Sequence, residues 1–129
     1  MWRSGIRNFL GQIGEDEAVQ HLKKNGYNIL KRNYKSRLGE IDIIAEEDGV
    51  LCFIEVKTRS SRDFGTPQDS ITKTKRHKLS KLALGYLKQK RIMDSKIRFD
   101  VVSILINNTK KKEIELIKNA FDMEGAYTY

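Results

Sequence analysis

Two apolar segments joined by Asp48-Gly49 constrain the fold of this chain more than any other feature. The first, over residues 39–45, reads Gly-Glu-Ile-Asp-Ile-Ile-Ala, and the second, over 53–59, reads Phe-Ile-Glu-Val-Lys-Thr-Arg. Asp-Gly between such runs is a strong hairpin signal, because a tight primed turn needs positive φ at its central residues. We therefore expect antiparallel strands over about 38–47 and 50–58, closed by a two-residue loop.

The register set by this loop places two carboxylates opposite each other. One face becomes wholly apolar and pairs Ala45 with Cys52, Ile43 with Ile54 and Ile41 with Val56. The other face pairs Ile44 with Phe53, Asp42 with Glu55 and Glu40 with Lys57. Opposed like charges destabilise a sheet, so Asp42 beside Glu55 indicates a functional site. A divalent cation would remove the repulsion, since carboxylate oxygens are preferred magnesium ligands. We interpret this as a metal site with Lys57 beside it.

Other loop lengths change this geometry in predictable ways. A three-residue loop would put Asp42 and Glu55 on opposite faces, but it would also turn apolar residues of one strand to the polar side. A four-residue loop keeps them on one face as a diagonal pair about 7–8 Å apart, still within reach of one ion. We therefore expect Asp42 and Glu55 to lie on the same face of the sheet with a loop of either two or four residues.

The composition predicts one globular domain with an uneven positive charge. The chain has 129 residues, of which 39% are hydrophobic and 33% charged, so we expect a single domain over 1–129 with a core over about 8–118. Of the net charge of +8, much falls between Lys57 and Arg98, where thirteen basic residues face three acidic ones. Such a field attracts nucleic acid regardless of sequence, although a basic stretch alone fits a solvated surface equally well.

The single cysteine and the amino-terminal residues indicate the cellular compartment of the protein. Cys52 falls on the apolar face of the hairpin, so a core thiol is expected, because a reactive thiol needs exposure and a cationic neighbourhood. The amino-terminal residues lack a continuous apolar stretch of the length that a signal peptide or membrane span needs. We therefore expect a cytoplasmic protein with no membrane partner.

Apolar spacing and turn residues predict the remaining elements. A helix is expected over 4–25, with an interruption allowed at Gly11 and Gly14 and a stop at Gly26. A second helix is expected from Thr66-Pro67 to about Lys90, with a break allowed near Thr72. The other predicted elements are strands over 27–33, 97–106 and 113–118, a turn over 107–110 and an irregular tail from 119. The order α-β-β-β-α-β-β predicts an α+β fold, in which helices flank a central mixed sheet.

Several segments in this order resemble the YraN-like bacterial family, which is similar to archaeal Holliday-junction resolvases of the PD-(D/E)XK nuclease superfamily. They are Gly11-x-x-Gly14-Glu15, Arg32-Asn33, the two hairpin segments, Phe64-Gly65-x-Pro67 and Arg98-Phe99-Asp100-Val101-Val102. The match covers most of residues 8–121. Ile41 stands where the wider superfamily often has proline, and that proline is often absent in resolvase-like members. The resemblance implies a restriction-endonuclease-like domain, a magnesium-dependent DNA nuclease activity with manganese as a substitute, and a homodimer.

The resemblance also implies roles for individual residues. Asp42 and Glu55 match the two metal-binding acids, Lys57 matches the catalytic lysine, and Glu15 matches a helix glutamate that can join the metal shell. Phosphodiester hydrolysis needs an in-line hydroxide and neutralisation of the charge that develops, which suits these residue types. From proximity alone we add four candidate phosphate contacts: Arg59, Lys73, Lys75 and Arg76.

Simpler interpretations stand beside these roles. Glu55 and Lys57 could form an ordinary surface ion pair, which contributes little. Glu15 could be an early-helix acid, with Glu17 as an equal candidate. We expect Asp100 to make a structural contact rather than bind metal. The chain as a whole could be a nucleic-acid-binding protein without turnover, or a basic module that binds an acidic protein.

Overall fold

The computed structural model describes residues 2–59, 71–106 and 112–124, and the side chains within 11–59, 71–105 and 113–124. Its elements follow the predicted order. They are α1 (Trp2–Lys24), β1 (Asn28–Ser36), β2 (Gly39–Glu47), β3 (Val50–Arg59), α2 (Lys73–Lys90), β4 (Ile97–Ile106) and β5 (Lys112–Phe121). In the described part of the chain, no helix is long and apolar enough to cross a membrane.

All five strands form one mixed sheet in the order β1-β2-β3-β4-β5. The pairs β1–β2, β2–β3 and β4–β5 are antiparallel, whereas β3 and β4 are parallel. The parallel pair needs a long crossover, which includes α2. The predicted α+β fold with a mixed sheet flanked by helices is therefore confirmed.

Each helix covers one face of the sheet with its own apolar cluster. Under α2, the buried residues include Ile44, Phe53, Leu79, Leu82, Tyr86 and Phe99. Under α1, they include Ala18, Val19, Leu22, Ile43, Cys52 and Ile54. Because successive strand residues point to opposite faces, Glu55 and Lys57 lie on the α2 side with Phe53. The carboxylate of Glu55 is thus placed next to the basic helix.

The helices differ from the prediction at one point, which lies in α1. Helix α1 continues through Gly11 and Gly14, so the interruption allowed there does not occur. The described helix α2 begins at Lys73, and its first turn is capped by Thr72, whose hydroxyl accepts the N–H of Lys75 at 3.1 Å. The predicted helix start at Thr66-Pro67 lies outside the described residues. The end of α1 before Gly26, which has a φ of +88°, is as predicted.

The strand bounds are longer than predicted at both sheet edges. Strand β1 extends to Ser36 instead of ending at residue 33, and β5 continues to Phe121, where an irregular tail was predicted. The sequence did not reveal these extensions, because the edge strands carry mostly polar residues there and lack the alternation of apolar and polar residues that predicts a strand. The turn predicted over 107–110 lies outside the described residues.

The predicted two-residue loop at Asp48-Gly49 is confirmed, and both residues have positive φ. The predicted register is also confirmed from Glu47–Val50 as far as Ile43–Ile54, where the described pairing ends. Beyond it the prediction was wrong, because Ile41 is buried in the α2 cluster while Val56 packs against the α1 cluster.

The change of face in β2 coincides with an irregular residue in β1. Arg32 pairs with Ile43 and Tyr34 pairs with Ile41, so Asn33 lies opposite Asp42. Asn33 has a φ of 52°, in the left-handed region that asparagine tolerates better than most residues. The regular alternation of both strands is therefore broken beside Asp42.

Candidate active site

The Asp42 carboxylate occupies the point where β2 and β3 cease to pair. Its Oδ2 accepts the backbone N–H of Val56 at 2.8 Å. In an uninterrupted ladder that N–H would face the carbonyl of Ile41, two residues beyond the last hydrogen-bonded pair, Ile43–Ile54. The side chain thus replaces a main-chain acceptor, and a carboxylate is held at the fork between the two strands.

The carboxyl group of Glu55 lies near that of Asp42 and interacts with it electrostatically. Glu55 is only 6% exposed. Burial, followed by the negative charge of Glu55, raises the pKa of Asp42 from 3.8 to about 7, while the N–H of Val56 acts in the opposite direction. Glu40 adds a smaller contribution of the same sign as Glu55. Asp42 and Glu55, the carboxylate pair from here on, are therefore brought together as the sequence predicts.

Two lysines lie on the same side of the sheet as this pair. Lys57 is half-buried two residues along β3 from Glu55, and no ion pair ties it to any described residue. Lys75, in the first turn of α2, places its Nζ 3.5 Å from Oε2 of Glu55 with 39% of its side chain exposed. That separation is long for a charge-assisted hydrogen bond, so this contact is a loose one.

The donor set of the carboxylate pair suits magnesium. Among the described residues there is no group of three or more histidine, cysteine, aspartate or glutamate side chains that could hold a metal. Magnesium, however, is commonly bound by one or two carboxylates together with waters and substrate phosphates, in place of a full protein cage. Glu55 is the charged neighbour that contributes most to raising the pKa of Asp42, so the two carboxyl groups lie close to each other. The residues present thus fit a hard divalent cation.

Glu15 takes a different position from the pair. Its Oε1 accepts hydrogen bonds from Nε of Arg32 at 3.1 Å and from Nδ2 of Asn33 at 2.9 Å. These contacts link α1 to β1 at the residue opposite Asp42. The described contacts of Glu15 are thus with β1, and its role in a metal shell stays a prediction.

The other phosphate-contact candidates differ in how much of their charge is available. Lys73 is exposed at the start of α2, whereas Nε of Arg76 lies 3.4 Å from Oε1 of Glu124. Arg59 is half-buried on the same face as Lys57 and makes a long contact of 3.5 Å to the hydroxyl of Ser103. Lys73 is therefore freest to meet a ligand, and Arg76 is already partly neutralised.

A second polar cluster lies on the opposite face of the sheet, under α1. Asp100, which is 0% exposed, accepts hydrogen bonds from the hydroxyl of Tyr27, from Nε of Arg98 at 2.9 Å and from the N–H of Asn119. Arg98 also donates to Glu47 at 2.6 Å. Lys118 donates to the other oxygen of Glu47 at 2.6 Å, which completes what we call the Arg98 cluster. The expected structural role of Asp100 is confirmed.

The Arg98 cluster keeps Glu47 ionised and the neighbouring Cys52 thiol protonated. The hydrogen bond from Lys118 is the main cause that lowers the pKa of Glu47. Nearby, burial and then the charge of Asp100 raise the pKa of the Cys52 thiol to about 12. This agrees with the expectation of a core thiol, because an unreactive thiol is one that stays protonated.

Sequence reasoning missed three contacts around these clusters. The pairing of Lys75 with Glu55 could not be foreseen, because it depends on where α2 crosses the sheet. The use of the Val56 N–H by Asp42 depends on the fork in the hairpin. The network from Arg98 to Glu47 had one sequence signal, the Arg98-x-Asp100 spacing that puts both side chains on one face of β4.

Comparison with known proteins identifies the chain's relatives. The model of an uncharacterised protein family, UPF0102, matches residues 14–104. A UPF0102 protein of Trichlorobacter lovleyi is 44% identical over 88% of this chain and 91% of its own length. Another, from Acetivibrio thermocellus, is 48% identical over 86% of this chain and 89% of its own. This chain belongs to the UPF0102 family. The YraN-like resemblance is thereby confirmed, and the family description assigns no activity.

One solved structure resembles this fold distantly. It is that of Pyrococcus furiosus SfsA in complex with Ca2+, with a TM-score of 0.37 and 15% sequence identity. The match covers 82% of this chain and 59% of the SfsA chain.

Proposed function

We propose that this UPF0102 protein is a metal-dependent endonuclease that hydrolyses DNA phosphodiester bonds, with branched or repair intermediates as substrates and magnesium or manganese as the cofactor. The observation that carries this proposal is the carboxylate pair. The buried Glu55 lies beside the half-buried Asp42 although the sheet gains nothing from their repulsion, and a half-buried lysine lies on the same face. Perturbed acids of this kind are concentrated at functional sites.

The residues divide the work of hydrolysis between them. Asp42 and Glu55 would hold the divalent ion, which would polarise a phosphate and acidify a bound water. The N–H of Val56 fixes Asp42 in place at 2.8 Å, so the ligand needs no reorganisation before the ion arrives. Lys57 would orient the attacking water or offset the negative charge that grows on the phosphate oxygens. Glu15 and its partners on β1 stay candidates for support of this site.

Helix α2 supplies the charge that attracts the substrate. Its sequence contains seven lysines and arginines and no acidic residue. Lys75 would hold Glu55 before the substrate binds, and its loose contact of 3.5 Å could be exchanged for a phosphate oxygen. Lys73 would add a contact at the start of the helix, with Arg59 and Arg76 behind it. A basic surface of this kind binds any nucleic-acid backbone, with affinity that falls steeply as salt rises.

The direct test compares DNA cleavage by the wild type, Glu55→Gln and the control Glu115→Gln, an exposed residue on β5. Linear, flapped and four-way DNA are each incubated with magnesium, manganese or chelator. We expect the wild type and control to cut, and Glu55→Gln to lose about 10³-fold or more in rate, because an interaction that stabilises the transition state is removed.

The remaining outcomes distinguish the alternatives. Metal-independent DNA binding without cleavage by the wild type would indicate a nucleic-acid-binding protein that has no turnover. Absence of salt-sensitive DNA binding would favour a basic module for an acidic protein partner. Equal cutting by the wild type and Glu55→Gln would overturn the assignment of the carboxylate pair. The homodimer and the cytoplasmic location follow from the resemblance and the sequence, and they remain predictions.

A further inference from the structure

A cavity of about 220 Å³ lies between the β1–β2 turn and helix α2, away from the carboxylate pair. It is lined by Tyr34, Ser36, Arg37, Leu38, Leu82 and Gly85. We propose that this cavity holds one unpaired nucleobase of a DNA strand whose scissile phosphate lies at the carboxylate pair. The inference rests on the proposed nuclease function and specifies its substrate as DNA with unpaired bases next to the cleavage point.

The walls of the cavity suit a flat, mostly apolar group. Leu38 is a large apolar side chain that is 48% exposed at the tip of the turn. Tyr34 stands edge-on to Tyr86, with ring centroids 5.3 Å apart, and its hydroxyl donates to Gln89 at 3.1 Å. Pockets for drug-sized ligands are larger, about 300–1,000 Å³, so this volume suits a single ring system. Bases stack on such side chains regardless of sequence.

The turn that carries Leu38 is held in shape by its own residues. The N–H of Leu38 donates to the hydroxyl of Ser36 at 3.1 Å. Gly39 follows with a φ of +140°, and a Cβ at that position would lie 3.4 Å from Cε of Lys78. The turn thus packs against α2, and the apolar tip does not need to be ordered by a ligand.

The charge around the cavity selects nucleic acid as the occupant. Arg37 lines it, and Lys78 runs beside the turn. None of the residues that line the cavity is acidic, and α2 contains no acidic residue along its whole length. An apolar slot inside a basic surface complements a base attached to its phosphates, whereas a neutral apolar peptide would gain nothing from this charge.

Two estimates place the cavity at the same distance from the carboxylate pair. Leu38 precedes Asp42 by four residues of an extended strand, which is about 13 Å at 3.3 Å per residue. Lys75, which touches Glu55, precedes Leu82 and Gly85 on α2 by seven and ten residues, which is about 10–15 Å at 1.5 Å per residue. These lengths correspond to roughly three or four stacked nucleotides at 3.4 Å each. One strand could therefore reach both places.

Gly85 offers a way to fill the cavity without disturbing the fold. A Cβ at this helical position meets no atom within 4 Å, and leucine is a better helix former than glycine. Gly85→Leu should therefore fold and obstruct the slot. Gly11→Leu is the matched control, because Gly11 is also helical, also has open space around it, and lies on α1.

The experiment measures binding in chelator, where no cleavage occurs. Fluorescence anisotropy gives the affinity of the wild type, Gly85→Leu and Gly11→Leu for a blunt duplex and for the same duplex with a short single-stranded flap. Stacking of one base changes affinity by roughly 5- to 150-fold. We expect a preference of that size for the flapped DNA in the wild type and in Gly11→Leu. Gly85→Leu should lose the preference and keep its duplex affinity.

A fluorescent base analogue placed at each flap position should be quenched at one position only, three or four nucleotides from the cleavage point, and not with Gly85→Leu. A preference that survives in Gly85→Leu, or a wild type that binds both DNAs equally, would overturn the base slot and leave the nuclease proposal intact. Failure of the wild type to bind either DNA would overturn both.

Discussion

The Arg98 cluster and the carboxylate pair lie on opposite faces of the sheet, and they differ in how far their acids are neutralised by hydrogen-bond donors. In the Arg98 cluster the carboxylates of Glu47 and Asp100 receive hydrogen bonds from Arg98, and further donors complete their shells. In the carboxylate pair, Asp42 and Glu55 face each other, with one backbone N–H and one loosely held lysine as donors.

The contrast teaches which cluster serves folding. Buried polar groups in native proteins are nearly always hydrogen-bonded, and the Arg98 cluster obeys this rule. The carboxylate pair stores repulsion that a cation would relieve. A fold that satisfies Asp100 fully is able to satisfy buried acids, and the carboxylate pair, which lacks such donors, is where we propose that a cation binds.

The largest effect is expected from a substitution that disrupts the Arg98 cluster. Asp100→Ala should lower the free energy of unfolding by about 3–5 kcal/mol, because it leaves the hydroxyl of Tyr27, Nε of Arg98 and the N–H of Asn119 without an acceptor. Urea denaturation followed by circular dichroism measures the loss. A loss below about 1 kcal/mol would mean that the Arg98 cluster does not stabilise the fold and that the contrast is false.

The carboxylate pair, unlike the Arg98 cluster, should destabilise the fold when both of its acids are ionised. The pKa of Asp42 is raised to about 7 in the folded state and is near 3.8 when unfolded, so the folded state binds more protons between these values. The contribution of Asp42 to the stability of the metal-free protein should therefore be fully present below about pH 4 and be lost as pH rises through 7, by roughly 2–4 kcal/mol.

Asp42→Asn removes the titrating group and should flatten this dependence, so that the variant is more stable than the wild type at pH 8. Urea midpoints at pH 5 and pH 8 for both proteins give the comparison. A variant that loses stability at pH 8, as we expect of Asp100→Ala, would place the carboxylate pair among the folding contacts.

Metal should relieve the pair and leave the Arg98 cluster unaffected. At a manganese or magnesium concentration 100 times the dissociation constant, the wild type should gain about 2.7 kcal/mol, seen as a higher Tm that chelator reverses. Glu55→Gln should gain far less, because one ligand is gone. Equal shifts in both proteins would mean that the ion binds elsewhere.

The smallest effect concerns the lysine that partly neutralises the pair. Lys75→Met should tighten manganese binding up to about fivefold, since the ion no longer competes with an exposed ion pair that contributes about 1 kcal/mol or less. It should also reduce the salt slope of DNA binding by about 0.9, the value for one lost phosphate contact. Lys88→Met, at the far end of α2, is the control. Unchanged metal affinity would mean that Lys75 is not a counterion of Glu55.

The sequence predicted the carboxylate pair because its signals are local. Asp48-Gly49 sets the turn, and the register that it fixes as far as Ile43–Ile54 leaves Asp42 and Glu55 as the next residues of the two strands. The sequence did not predict what α2 and β1 add from a distance. Lys75 reaches Glu55 only because a crossover lays the helix over β3, and Asn33 breaks the alternation through a backbone conformation that its residue type permits but does not require. Long-range contacts of this kind leave no periodic trace.

Close packing of α1 against β3 has a consequence for how this family can vary. A Cβ at Gly14 would overlap Oγ1 of Thr58, the residue after Lys57. Even alanine would therefore force the Thr58 side chain, or the helix and the strand, to shift, just where Glu15 is anchored to β1. Gly14 thus sets the distance between α1 and β3 beside Lys57. A relative with a larger residue at this position needs a smaller residue, or a different side-chain conformation, at the position of Thr58.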